Sequence, residues 1–423
     1  ALNEDGRTTR IARRSEPRAG DAGCAGVKDS EHSGPADQLG EYFFQLTPER
    51  VREAVEAGGC EPTGHWQVLN SLENRVYDLR IASSAAGAED SEGDPESQQQ
   101  EEQHVIVKFY RPGRWSIDQI REEHEFLREL RANDVPVCDP LDFPGGGTIR
   151  ETEGIYFAIW PRTGGRPCDE LNFEHAAELG RLVARIHNVG AAQPATHRLE
   201  LNVERYAHQP LAYLEEHDWL PEHLRERYRA AAATTIEYYT ALAQDVPMIR
   251  IHGDCHAANL LQAGQGWFFL DFDDFLTGPA VQDLWMLIPA RDPHSLQLRE
   301  TFLEEYRRFR DFEDHWLRLI EPLRALRFIH YAAWVARRWE DPAFPSALPH
   351  FGTNEYWENE TRDLEEQVER FGTENPGMSG IAGSYQSVSE EEAELTNKDF
   401  FWDWEEPADD AGDTGDANAD GQS

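Results

Sequence analysis

The chain has 423 residues, of which 39% are hydrophobic, and its mean hydropathy is −0.69. Its 80 acidic and 40 basic residues give a net charge of −40, which opposes nucleic-acid binding by the surface as a whole. The five cysteines are odd in number, widely spaced and without a CxxC pair, so neither a disulfide framework nor a zinc ribbon is indicated.

No apolar run of about 18 residues and no signal-peptide core are present. We therefore expect a reduced, cytoplasmic protein that does not bind membranes, and we take it to be a monomer. Lysine is scarce, with only Lys28, Lys108 and Lys398. An acid-rich, lysine-poor chain indicates a salt-adapted (halophilic) cytoplasm, in which ions screen self-repulsion. An arginine-biased genome with acidic tails is the alternative explanation.

Three segments are too polar to offset the loss of chain entropy on folding. They are residues 1–40, the run "ASSAAGAEDSEGDPESQQQEEQ" at 82–103 and the acidic residues 373–423. We predict that the first and last are disordered tails and that 82–103 is an acidic loop inserted before a strand. The folded body then runs from about residue 41 to residue 372.

The folded body opens with a short helix and three strands. Thr47 is the predicted N-cap of the helix, with Pro48 at its first position and Gly58 after its end. The segment "WQVLNSLENRVYDLRI" alternates apolar and polar residues around "NSLEN". It predicts two strands joined by a polar turn, and "HVIVKFY" predicts a third strand.

The next segment, "SIDQIREEHEFLRELRAN", predicts a helix. Ser116 and Gln119 form a capping box, and Asn133 is expected to end the helix in a left-handed conformation. "GIYFAIW" predicts a further strand that ends at Pro161. A helix is then expected from an Asn172 cap to a stop at Gly190.

Helical patterns also cover about 208–244, 280–310 and 312–340. This order predicts an α+β fold in two parts. A strand-rich part spans 41–160 and contains the 82–103 insertion, and a mainly helical part spans 161–372. Ligands favour the cleft between two such parts.

The segment "IRIHGDCHAANLLQAGQGWFFLDF" at 249–272 interrupts the helices. "IRI" and "WFFLDF" are strand-like and "AGQG" is a turn, so we expect paired strands to bring Asp271 near Asp254 and Asn259. Two carboxylates and an amide make an oxygen-rich site, which suits Mg²⁺. A zinc site and a purely structural loop are the alternatives, since His252, Asp254 and His256 form HxDxH.

Phosphoryl transfer needs these same oxygen-bearing groups. One carboxylate orients and deprotonates the attacking hydroxyl, while an amide oxygen and a second carboxylate hold Mg²⁺ on the nucleotide phosphates. Asp254 would take the first role, and Asn259 and Asp271 the second. The catalytic loop of protein kinases has the same Asp-to-Asn interval and is followed by a metal-binding Asp.

Lys108 lies in the apolar run "VIVKFY", where a free ammonium group is costly unless it is paired. The helix that follows carries Glu122, Glu123 and Glu125. A Lys–Glu pair that reaches the α- and β-phosphates is the expected use in phosphoryl transfer. Position on the helix favours Glu123 and leaves Glu122 open. A lysine that extends from a sheet edge into water is the structural alternative.

No G-x-G-x-x-G loop precedes the lysine strand, and "NSLENRVY" occupies that place. We predict that Ser71 and the backbone N–H groups of this turn cover the ATP phosphates. Alternatively, Ser71 and Asn74 form an Asx-type turn. Arg111 and Arg114 flank a Pro-Gly pair and are expected in a simple turn, with phosphate steering as the alternative.

"HGDCHAANLL" with "LDFDD" resembles the HxDxxxxN motif and the following Asp of the aminoglycoside phosphotransferase and choline kinase group, which has a two-lobed, protein-kinase-like fold. The resemblance is closer to the stress response kinase A family, also called the YihE or RdoA protein kinases. It rests on "NSLENRVYDLR", "VIVKFYRPGRWSIDQIREEH", "GPAVQDLWML" and "IEPLRALRFIHYAAWVARRWEDPAFP". It covers about residues 42–372.

The resemblance implies an ATP- and Mg²⁺-dependent serine/threonine protein kinase of the bacterial stress response, which phosphorylates proteins including itself. Asp254 would be the proton acceptor, Asn259 and Asp271 would bind Mg²⁺, Ser71 would lie in the ATP-covering loop and Lys108 would hold the phosphates. A small-molecule kinase on the same fold and a catalytically inactive nucleotide-binding module are the alternatives.

Five further residues near the motif have expected roles. Asp283 matches an aspartate that braces the catalytic loop in the wider group. Asp273 and Asp274 are expected on a salt-adapted surface, with extra metal contacts as the alternative. His252 is expected to hydrogen-bond the loop, and Cys255 to be an inert thiol rather than a redox sensor.

Overall fold

The computed structural model describes residues 43–44, 46–69, 71–82, 102–168, 170–264 and 266–374. The 1–40 tail lies outside these residues, as do most of the 82–103 and 373–423 segments, so the predictions made for them stay predictions. None of the described helices is long and apolar enough to span a membrane.

Five antiparallel strands form one sheet, in the order β1–β2–β3–β5–β4. They are β1 (Pro62–Leu69), β2 (Arg75–Ala82), β3 (Glu102–Phe109), β4 (Arg150–Thr152) and β5 (Ile155–Pro161). The strands predicted around "NSLEN", at "HVIVKFY" and at "GIYFAIW" are therefore confirmed. Lys108 lies on the central strand β3, opposite Ala158 of β5. The sheet-edge explanation for Lys108 is wrong.

A helix covers each face of this sheet, and we call residues 62–161 the sheet region. Helix α1 (Pro48–Ala57) packs Val51 and Val55 into a core with Phe109 of β3. Its predicted Thr47 cap is present, since the Thr47 hydroxyl accepts the Arg50 N–H. Helix α2 (Ile117–Ala132) covers the face that carries Lys108, where Ile120 packs in a small apolar cluster with residues of β5.

The two ends of α2 differ in how well the sequence predicted them. The capping box of Ser116 and Gln119 is present. Asn133, however, has φ −101° rather than a left-handed conformation, and Asp134 takes it with φ 56°. The Asn133 N–H still donates to helix carbonyls, including that of Glu129, so the chain reverses one residue later than predicted.

The helical region, residues 166–374, contains eight further α-helices among the described residues. They are α3 (Phe173–Ala192), α4 (Gln209–Glu216), α5 (Glu222–Leu242), α6 (Val281–Leu287), α7 (Pro293–Tyr306), α8 (Ile320–Ala336), α9 (Ala343–Ala347) and α10 (Asn354–Glu374). The long patterns at 208–244 and 280–310 each divide into two helices. In both cases a proline starts the second helix: Pro221 is the N-cap of α5 and Pro293 opens α7.

Helix α3 begins at its predicted Asn172 cap but does not stop at Gly190. It continues to Ala192 because Gly190 serves close packing instead of termination. A Cβ at this position would lie 2.0 Å from the carbonyl oxygen of Arg250. Glycine therefore lets α3 approach the strand that carries Arg250.

Two pairs of short antiparallel strands hold the motif segment. Strand β7 (Met248–Ile251) pairs with β10 (Leu276–Pro279), while β8 (Leu260–Ala263) pairs with β9 (Gly266–Phe269). Strand β6 (Arg166–Pro167) adds to the edge of β8. The expected pairing of "IRI" with "WFFLDF" is wrong, because the "AGQG" turn closes the adjacent "LLQ" strand onto "WFF". A hydrogen bond from the Leu270 N–H to the Asn259 carbonyl, 2.9 Å long, still brings the segment before Asp271 close to the loop of Asn259.

Candidate active site

The loop between β7 and β8 carries Asp254. Gly253 has φ +84°, and a Cβ there would lie 2.5 Å from the carbonyl oxygen of Asp274, so only glycine fits. Asp283 of α6 accepts the backbone N–H groups of His252 and Gly253, both at 2.9 Å. This buried carboxylate thus holds the start of the loop, in agreement with the expected brace.

The Asp254 carboxylate is 7% exposed and has a basic group at each oxygen. Arg327 Nη2 lies 3.2 Å from Oδ1, and His256 Nε2 lies 3.2 Å from Oδ2. Burial alone would raise the pKa of Asp254, but His256, Arg327 and His252 outweigh burial and hold that pKa well below its usual range. Asp254 is therefore ionised at neutral pH, the form that accepts a proton.

Arg327 is a residue that sequence reasoning missed. It lies 73 positions after Asp254 on the apolar helix α8, and its side chain is buried. A buried arginine in an apolar helix needs a partner. Its place in "LRALRF" was a signal that it has one, although the signal does not identify Asp254.

Asn259 and Asp271 lie on two segments joined through the bond between Leu270 and Asn259. The Asn259 amide N–H donates to the carbonyl of Asp254 at 2.9 Å, which leaves the amide oxygen as the atom for a cation. Asp271 has a left-handed backbone, φ 54°, which is uncommon outside glycine. One carboxylate and one amide oxygen fit Mg²⁺, which completes its shell with phosphate oxygens and waters.

The zinc alternative does not fit. In the described part of the chain, no group of three or more His, Cys, Asp or Glu side chains is arranged to hold a metal ion. His252 Nε2 hydrogen-bonds the carbonyl of Leu270 at 2.8 Å, as its expected scaffold role requires. Cys255 is 1% exposed, and burial raises the pKa of its thiol, so the thiol is inert.

Lys108 is buried among three carboxylates. Its Nζ lies 2.9 Å from Asp271, 3.1 Å from Asp273 and 4.0 Å from Glu123. Burial would lower the pKa of Lys108, but these three acids outweigh it and raise that pKa. Burial also raises the pKa of Glu123 to about 7, against the opposing effect of Lys108. Repulsion from the nearby Asp273 and Asp271 acts in the same direction as burial.

Glu122 points elsewhere. Its carboxylate accepts the backbone N–H groups of Thr196, His197 and Arg198, the last two at 2.7 Å. Of the two glutamates left open by the sequence, Glu123 is therefore the one beside Lys108.

Asp273 was expected on the surface, and this expectation is wrong. It is 2% exposed and contacts Lys108, Arg114 Nη1 at 2.6 Å and Asn74 Nδ2 at 3.0 Å. Asp274 is half-exposed and pairs with Arg114 at 2.5 Å. Phenylalanines at 272 and 275 enclose the acid pair and are buried, and this apolar flank was the overlooked signal.

Ser71 lies in the turn between β1 and β2. Its hydroxyl accepts the Asn74 N–H at 3.2 Å, so the structural alternative, a side-chain-capped turn, is present. Asn74 in turn donates to Asp273 and accepts the backbone N–H of Arg111 at 3.2 Å. The turn therefore lies beside the segment that follows Asp271.

Comparisons with known proteins agree with this architecture. The model of the phosphotransferase enzyme family matches residues 96–320. Stress response kinase A of Escherichia coli (strain K12) is 36% identical over 327 residues, which cover 77% of this chain and 94% of the relative. The serine/threonine protein kinase RdoA of Salmonella typhimurium matches with the same identity and coverage.

Two solved structures share the fold at 18% identity. Amicoumacin kinase hAmiN, in complex with AMP-PNP, Ca²⁺ and Ami, has a TM-score of 0.57 and covers 79% of this chain and 96% of its own. The microcompartment-associated aminopropanol kinase has a TM-score of 0.56 and covers 79% and 99%. The expected α+β, two-lobed kinase fold is thereby confirmed. The chain belongs to the phosphotransferase enzyme family and, within it, to the stress response kinase A family.

Proposed function

We propose that this kinase transfers the γ-phosphoryl group of ATP to serine or threonine hydroxyls of proteins, itself included, with Mg²⁺ as cofactor. The observation that carries the proposal is the ionised Asp254 carboxylate on the same loop as Asn259. The 2.9 Å contact between Lys108 and Asp271 supports the proposal. It joins the sheet region to the segment of Asp271, which is hydrogen-bonded to the loop of Asp254.

Each residue has a defined part in this reaction. Asp254 orients the acceptor hydroxyl and takes its proton as the oxygen attacks the γ-phosphorus and ADP leaves. Lys108 binds the α- and β-phosphates and Glu123 positions Lys108, while Ser71 lies over the phosphates. Asn259 and Asp271 would hold Mg²⁺, which supplies charge neutralisation on the phosphates when it is bound.

The name of the Salmonella typhimurium relative supports a protein acceptor, since that chain is a serine/threonine protein kinase by name at 36% identity. The aminopropanol kinase keeps a small-molecule acceptor as the second candidate, but at 18% identity it supports the fold alone. We further propose lobes at 41–160 and 161–372, a monomeric state, and action in the stress response of a salt-adapted cytoplasm.

The test uses purified protein with γ-labelled ATP and Mg²⁺ at low and high salt. We expect labelled protein for the wild type and a loss of about 10²- to 10⁴-fold in rate for Asp254→Asn, because the proton acceptor is removed. Asp314→Asn is the control, since the Asp314 side chain is 85% exposed.

Three outcomes would contradict the proposal in different ways. Wild-type labelling by Asp254→Asn excludes Asp254 as the proton acceptor. ATP turnover that appears only after a metabolite is added identifies a small-molecule kinase. Nucleotide binding without any turnover identifies an inactive binding module.

A further inference from the structure

Three motif segments, each with charged residues that have no assigned role in phosphoryl transfer, meet at one place. The turn "NSLEN" contributes Glu73, and "YRPGRW" contributes Arg111 and Arg114. "ARRWEDP", which follows α8, contributes Arg338 and Asp341. These five residues come from three segments that lie far apart in the sequence, and they form one network of ion pairs.

Glu73 is the centre of this network. It is 5% exposed, and Arg338 makes two contacts with it: a hydrogen bond from Nη2 to Oε1 at 2.9 Å and an ion pair between Nε and Oε2 at 2.6 Å. Arg111 and Arg114 approach Oε1 at 3.3 Å and 3.5 Å. Charge-assisted contacts from three arginines thus compensate the buried Glu73 carboxylate. The turn is therefore held through the side chain of Glu73.

Arg111 also holds the backbone of the turn. Its guanidinium donates to the carbonyls of Glu73 at 3.0 Å and Leu72 at 3.1 Å, and its own N–H donates to Asn74. Asp341, which is 2% exposed, accepts from the same guanidinium at 2.6 Å. Both side chains and peptide groups of the turn are thus bound by this network.

The network joins the sheet region to the helical region. Arg338 and Asp341 come from the segment that follows α8, whereas Glu73 lies in the sheet region. Arg114 continues the network to Asp273, two residues after Asp271. One connected set of charges therefore sets where the turn lies relative to both Lys108 and the candidate Mg²⁺ ligands.

We propose that Glu73 is a positioning residue for nucleotide binding, which fixes the turn of Ser71 through three arginines against the end of α8. The inference rests on the proposed function, because it takes this turn to cover ATP. A turn already held in place loses less conformational freedom when a ligand binds. The ion network would thus supply, by rigidity, the phosphate cover that a glycine-rich loop supplies in protein kinases.

The test compares full-length Glu73→Gln and Arg338→Lys with the wild type. Glu73→Gln removes the charge at nearly constant shape, and Arg338→Lys keeps the charge but loses the planar guanidinium that contacts both carboxylate oxygens. We expect the Kd for a non-hydrolysable ATP analogue with Mg²⁺ to rise about tenfold in Glu73→Gln and less in Arg338→Lys. The KM for ATP should rise in parallel, with little change in kcat.

Glu215→Gln is the matched control, because Glu215 pairs with Arg229 on the surface. A role in folding alone would lower the active fraction, and hence the apparent kcat, without changing either constant for the nucleotide. Wild-type affinity in both folded variants overturns the inference, and Arg338→Lys decides alone if Glu73→Gln does not fold. A wild type that binds the analogue but transfers no phosphoryl group refutes only the proposed function. A wild type that does not bind it refutes both.

Discussion

Lys108 and His124 are both buried, yet their surroundings favour different charge states. Lys108 stays protonated because Asp271, Asp273 and Glu123 surround its ammonium group. His124 hydrogen-bonds instead to two hydroxyl groups, Thr148 at 2.7 Å and Tyr110 at 3.0 Å. Burial and the nearby Lys108 and Arg128 lower the pKa of His124 to about 3, so it is neutral at neutral pH.

The pKa of His124 predicts a pH effect on stability. Between about pH 6.5 and pH 3 the unfolded chain binds a proton at this residue and the folded chain does not, so stability falls as the pH falls. His124→Gln removes this dependence. We expect its free energy of unfolding to approach that of the wild type from pH 6.5 to 4, by at most about 1.4 kcal/mol per pH unit.

Urea unfolding across this pH range measures the effect. His223→Gln is the control, because the His223 side chain is 58% exposed. A constant difference in unfolding free energy between wild type and His124→Gln at every pH would contradict the assignment of a neutral, buried His124.

Helix α2 illustrates how one element holds two regions together. Adjacent helical residues project about 100° apart, so Glu122 and Glu123 face different neighbours. Glu123 faces Lys108 of the sheet, while Glu122 binds the backbone at residues 196–198 of the helical region. Arg198 returns to α2 by donating to the carbonyl of Gln119 at 3.3 Å. The helix is therefore fixed from both sides.

Removing the Glu122 carboxylate should loosen this connection. Glu122→Ala leaves three backbone N–H groups without their acceptor, and we expect the free energy of unfolding to fall by about 1–3 kcal/mol. Glu125→Ala on the exposed face of α2 should change it by less than about 0.5 kcal/mol. Equal effects of the two substitutions in urea unfolding would show that the contact with 196–198 does not hold α2.

At the scale of the whole molecule, the net charge of −40 opposes compactness through repulsion between exposed acids. The ion pairs around Glu73 and Lys108, in contrast, are buried. Salt screens exposed charges strongly and buried pairs weakly. The two kinds of charge should therefore respond differently when the ionic strength changes, with surface repulsion relieved first.

We predict that the urea midpoint of unfolding rises between 0.1 M and 1 M KCl at pH 7.5, because screening relieves the repulsion between surface acids. The control is the same comparison near pH 4.7, the sequence pI, where net charge is close to zero and the rise should be much smaller. A midpoint that falls with salt at pH 7.5 would mean that the ion pairs outweigh the surface repulsion.

Local chemistry made several elements predictable. The Ser116–Gln119 box and the caps at Thr47 and Asn172 each depend on residues within three positions of one another. Lys108 was recognised for a similar reason, since an ammonium group inside an apolar strand requires partners wherever the strand lies. The family followed from the resemblance of several motif segments, which the relatives support at 36% identity.

The sequence by itself determined most of the strands and helices through caps and periodicity, which are short-range features, and the resemblance of its motif segments gave the family and the candidate residues. Only the tertiary structure decided which partners those residues have. Distant segments meet where Arg327 contacts Asp254 and where β7 pairs with β10, and the packing of such segments also buries Asp273. Such contacts depend on how all elements pack together, and no local pattern encodes them.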